Sequence, residues 1–102
     1  LAVEALNKAN KRLENADLHS YLGYAYRHLD DLDRSFSHYR IALSIEPNHR
    51  GAHEYAGEAY LKVGKLDKAL EHLAQLEQIC GKNCDEYLDL SGVITKYQQT
   101  KK

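Results

Sequence analysis

Leu22-Gly23-Tyr24-Ala25-Tyr26, followed by Ala42 and Pro47, is the stretch on which the reading of this chain turns. Its spacing returns downstream as Ala56-Gly57-Glu58-Ala59-Tyr60. Laying residues 16–49 over residues 50–83 puts His19 on His53, Tyr21 on Tyr55, Gly23 on Gly57, Ala25 on Ala59 and Tyr26 on Tyr60. Leu32 then falls on Leu66, Asp33 on Asp67, His38 on His72 and Ile45 on Ile79. A register held without a gap marks a duplicated unit. Glycine and alanine fit where two helices touch, and tyrosine and leucine fill the space between them. One such pair cannot bury its own apolar face, so copies must stack.

Working outward, the apolar spacing predicts helices over 2–13, 17–29, 31–45, 50–63, 66–80 and 84–98. Ala2, Leu6, Ala9 and Leu13 mark the first. A tight turn is expected at Glu14-Asn15, with Asp17 favouring the start of the second helix through its dipole. Leu18, Leu22, Ala25, Tyr26 and Leu29 line one face of that helix. Leu32, Phe36, Tyr39, Ala42 and Leu43 form the buried set of the next, which Pro47-Asn48 stops. Gly64 supplies a left-handed exit. Leu66, Ala69, Leu70, Leu73, Leu76 and Ile79 follow, ending at Gly81. Asn83 with Glu86 reads as a capping box. The last helix carries Tyr87, Leu88, Leu90, Val93, Ile94 and Tyr97, with Ser91 and Ile94 where the repeat would place glycine and tyrosine.

The bulk composition narrows the function. The chain has 102 residues and a net charge of −1, which gives no field for steering toward nucleic acid or an anionic membrane. No run approaches the roughly 18 apolar residues of a membrane span, and the basic pair Lys101-Lys102 is too short to make a basic patch. Phosphate loops, nucleophile elbows and dinucleotide fingerprints are all missing, so no enzyme is expected. Asp30, Asp31 and Asp33 crowd a helix–helix turn and read as solvated capping groups.

The 34-residue period is that of the tetratricopeptide repeat. The first copy resembles that family at Leu22, Gly23, Tyr26, Ser35, Tyr39, Ala42 and Pro47, and the second at Ala56, Gly57, Tyr60, Ala69 and Leu73. Departures are Leu76, Gly81, and His19 and His53 in the tryptophan slot. The resemblance implies an all-α, right-handed superhelical stack of antiparallel helix pairs. In that scheme 1–15 is the trailing helix of a truncated repeat, 16–49 and 50–83 are repeats, and 84–102 is a C-terminal capping helix. It also implies a non-catalytic scaffold, without cofactor, binding a peptide or helix of a partner protein in a concave groove. The groove positions carried over are Asp17, Ser20, Tyr21, Tyr24, Arg27 and His28 in one repeat, and Gly51, Glu54, Tyr55, Glu58, Leu61 and Lys62 in the other. Tyr21, Tyr24 and Tyr55 form an aromatic row, a residue type that interfaces favour. Arg27, Glu54, Glu58 and Lys62 would select charge. The clamp for chaperone C-terminal carboxylates is not expected, because Ser20, Tyr24 and Tyr55 hold its lysine and asparagine slots.

Three further readings stand beside that one. An apolar edge of Leu1, Val3, Leu6 and Leu13 would suit self-association into a homo-oligomer. His38 and His72, and His19 and His53, sit at equivalent positions. His49 and His53 are one turn apart, but without a metalloprotease motif these histidines read as packing residues and not as ligands. Cys80 and Cys84 flank Gly81-Lys82-Asn83. They could form a disulfide, stay as two reduced thiols, or provide half of a metal site, and with His72 they could make a sensor. The run from Cys80 to Tyr87 resembles the tails of small bacterial tetratricopeptide proteins, many of them exported, which implies an exported or periplasmic chain.

Overall fold

The computed structural model describes residues 2–100, so Leu1, Lys101 and Lys102 lie outside the described residues. Those residues form five α-helices and no strand: α1 (Ala2–His28), α2 (Leu32–Ile45), α3 (Arg50–Lys62), α4 (Leu66–Cys80) and α5 (Asp85–Thr100). The chain divides into two compact units, Leu1–His49 and Arg50–Lys102, and the division falls where the second copy of the sequence pattern starts.

The first unit is an α1–α2 hairpin. Arg12 reaches Ile45 and Glu46, His19 reaches His38, and Gly23 meets Tyr39, so the two helices run antiparallel. The closest approach is at Gly23. A Cβ added there would lie 2.5 Å from the Tyr39 ring, and Ser35 Oγ donates to Gly23 O at 2.7 Å. Tyr39, Ser35 and Ala42 are fully buried against this side.

Two expectations fail here. There is no turn at Glu14-Asn15: α1 runs unbroken for 27 residues, about 40 Å. Neither residue is a helix breaker, each costing well under about 1 kcal/mol in a helix interior, and Asp17 sits in mid-helix. The expected turn is therefore missing, not tight. The buried face of α1 also differs from the expected one. Ala16, Ser20, Gly23 and Arg27 are buried, whereas Leu18 and Leu29 are 54% and 74% exposed. Helices come closest where side chains are smallest, so the glycine side won the contact over the leucine side.

The second unit packs α3, α4 and α5 around Leu61, Ala69, Leu76, Leu90 and Ile94, with Tyr60, Leu66, Leu73, Cys80, Tyr87 and Tyr97 beside them. Gly57 again sits at a close approach, but to α5: an added Cβ would meet Leu90 Cδ2 at 2.7 Å. Leu76, a departure from the repeat pattern, is one of the fully buried residues of this core. Leu70, Leu88 and Val93, assigned to apolar faces, are exposed.

Helix ends repeat with the same period. Asp30 (φ 60°) and Gly64 (φ 77°) take the left-handed position after α1 and α3. Asp31 N–H then donates to Tyr26 O, and Lys65 N–H to Tyr60 O, each at 2.9 Å. This is the six-to-one bond of a Schellman ending. Glu46, the residue before Pro47, is extended and caps α2. α5 opens at Asp85, and Cys84 O accepts from Leu88 N–H. That makes Cys84 the cap residue, one position later than the Asn83–Glu86 box requires.

Candidate functional site

Each unit turns one face of its first helix away from the helix that follows. On α1 this face carries Tyr21, Tyr24 and His28, all exposed. Tyr24 packs on His28, one turn later, with ring centres 4.4 Å apart. The Arg27 guanidinium lies 5.1 Å from the Tyr24 ring centre. Arg27 is only 8% exposed, so it supports that tyrosine and is not the free charge that was expected. Ser20 is likewise buried, its Oγ without a hydrogen-bond partner among the described residues. Asp17 is engaged by His49, whose Nε2–H donates to Oδ1 at 2.6 Å. The α1 face thus reduces to an aromatic patch.

The corresponding face of α3 is different in character. Glu54, Tyr55 and Glu58 are half-buried and Lys62 is exposed. Gly51 is half-buried, while Leu61 belongs to the core and not to any groove. The Glu54 carboxyl is pushed up to about 8. Burial is the main cause, followed by its hydrogen bond to Glu58 and the negative charges of Glu58, Asp89 and Glu86. At neutral pH Glu54 therefore holds a proton and donates it to Glu58. Sequence reasoning missed Asp89 and Glu86, the α5 members of this cluster. The signal was present: carrying the period one step further places Asp89 on Tyr55 and Tyr21.

At the other end of the second unit, Cys80 and Cys84 are bonded, with Cα atoms 5.9 Å apart, tying the end of α4 to the start of α5. The Glu86 carboxylate lies within 4.8 Å of both sulfurs. Sulfurs joined to each other offer no thiolate, so this group is not a metal site while the bond holds.

The histidines fall into pairs that the sequence reading had not joined. His19 Nδ1 lies 3.0 Å from His38 Nδ1, and His53 Nδ1 lies 2.9 Å from His72 Nδ1. Tyr26 stacks on His38 and Tyr60 on His72. Equivalent residues thus make equivalent contacts in both units, across the α1–α2 and α3–α4 seams. The reading as packing residues fits this arrangement, and His49 pairs with Asp17 instead of joining His53. Among the described residues no helix is long and apolar enough to cross a membrane. No protein-family model matches the chain, and no curated protein or solved structure matches it either.

Proposed function

We infer that the chain is a non-catalytic interaction module of the tetratricopeptide type, whose helix pairs stack as a superhelix and hold a partner peptide against the first helix of each pair. The observation that carries this reading is the pair of faces just described: Tyr21, Tyr24 and His28 on α1, and Tyr55 with Glu54, Glu58 and Lys62 on α3. Tyrosine contributes large contact area with a hydrogen-bonding tip. The carboxyl groups around Glu54 favour a segment carrying lysine or arginine, whose charge would replace the proton now held there. The repeated helix endings and histidine contacts support a true two-helix repeat.

Selection of displayed peptides against the full chain tests the proposal. Recovered peptides should be basic, and Tyr24→Ala with Tyr55→Ala should weaken them about tenfold or more, with helicity unchanged. Peptides indifferent to both substitutions would sink the reading.

A second reading, self-association, is favoured by the N-terminal part of α1. Arg12 already pairs with the last residues of α2, so residues before it extend beyond the hairpin. Val3 and Leu6 there are 68% and 60% exposed, and Leu13 is exposed just after. Light scattering over a concentration series should show a dimer that Leu6→Glu with Leu13→Glu dissolves. A monomer at every concentration would dispose of it.

A further inference from the structure

We propose that the two histidine pairs are matched proton-sensitive latches, each closing one helix pair while it holds at most one added proton and releasing it when a second arrives.

The His19 and His38 ring centres are 5.2 Å apart while the facing Nδ1 atoms are 3.0 Å apart, so both nitrogens lie between the rings, edge to edge. The His53–His72 pair has the same 5.2 Å separation with nitrogens at 2.9 Å. That is the geometry of one N–H···N hydrogen bond. In the neutral pair one ring carries its proton on Nδ1 and donates, and the other carries it on Nε2 and accepts. A first added proton goes to the unprotonated Nε2 of the donor. The bond survives this and is strengthened by charge. A second has only the accepting Nδ1 to occupy. It would set two N–H groups and two positive charges against each other within about 3 Å, turning the bond into a repulsion.

The surroundings point the same way. In the first unit His19 is the charge that acts on His38, while Arg34, paired with Asp31, lies over the Tyr26 ring that stacks on His38. In the second unit Lys68 stands at the position equivalent to Arg34, and His72 feels both Lys68 and His53. The acids of that unit, Glu54 and Glu58 on α3 and Glu86 and Asp89 on α5, cluster on one another and are not among the charges acting on His72. Burial first, then the paired histidine, lowers His38 from its ordinary value. Burial first, then His53 and Lys68, lowers His72 to about 4. A lowered histidine stabilises the fold above its unfolded value near 6.5 and loses that contribution as pH falls. For the second unit the window therefore runs from 6.5 down to about 4. Each unit would loosen on acidification in its own range below 6.5, and with it the face of α1 or of α3.

The test is the thermal midpoint of the full-length Glu54→Gln chain, which lacks the opposing titration of that carboxyl, as pH is lowered from about 7.5 to 4.5, followed by helicity. It should fall by about 5 °C or more. His38→Gln with His72→Gln should flatten most of that fall, because glutamine can donate to or accept from the remaining ring and adds no second proton. An undiminished fall in the variant overturns the proposal. If the variant does not fold, nitrogen-15 spectra of the unsubstituted protein decide. Each pair should show one protonated Nδ1 and a second proton binding well below the first. Four histidines titrating independently near 6.5 would overturn it. So would a rise in midpoint with added zinc that the double variant loses, since the nitrogens would then serve a metal.

Discussion

Gly23 and Gly92 respond in opposite directions to the same substitution. Both are helical, so alanine at either gains up to about 1 kcal/mol of helix propensity. At Gly92 an added Cβ meets nothing within 4 Å, so Gly92→Ala should raise stability by about 0.5–1 kcal/mol. At Gly23 the same carbon would enter the Tyr39 ring, itself fully buried and unable to retreat. Overpacking there outweighs propensity, and Gly23→Ala should lose about 2 kcal/mol or more in denaturant titration. Gly57→Ala should fall between them, because the atom it meets is a methyl at the end of the Leu90 side chain. This scale is where the sequence was most legible for some residues and least for others. A glycine repeated in register announces a close contact, but not whether the neighbour is the next helix in the hairpin, as Tyr39 is, or the one after, as Leu90 is.

The element scale is governed by how helices end. Gly64 holds a left-handed conformation with only the Tyr97 hydroxyl near an added Cβ, at 3.9 Å, so the cost of Gly64→Ala is backbone strain alone. A loss of about 1 kcal/mol in the unfolding midpoint of the second unit is expected. At the junction of α4 and α5 the closed loop is only a few residues long, so chain-entropy reasoning limits the bond's contribution to about 2 kcal/mol. A thiol count on protein prepared without reductant should be near zero. Reduction should leave helicity intact and lower the midpoint by no more than about that amount. Proline and glycine made the ends of α2, α3 and α4 readable in advance. The absent break in α1 was not readable, because spacing to a repeat pattern suggested a turn that no residue at positions 14 and 15 enforces.

For the whole molecule, the acidic cluster and the histidine pairs give opposite pH slopes. Glu54 is raised above its unfolded value, so its contribution is full below about 4.5 and lost as pH rises toward about 8. The histidine contribution is full above 6.5 and lost toward acid. Glu54→Gln should therefore remove the loss of stability between about pH 5 and 8 while leaving the acid-side fall, as read by thermal midpoints across that range. The chain's own sequence determined that it is all-helical, that its pattern recurs every 34 residues, and where the second copy begins, because local spacing and breaker residues act within a few positions along the chain. Tertiary structure alone decided that the glycine side of α1 is the buried one, that Arg27 is withdrawn from solvent, that Glu54 shares a proton with Glu58 near Asp89, and that His19 finds His38. Those outcomes depend on which surfaces reach each other first, and a one-dimensional pattern does not encode the distance between facing helices.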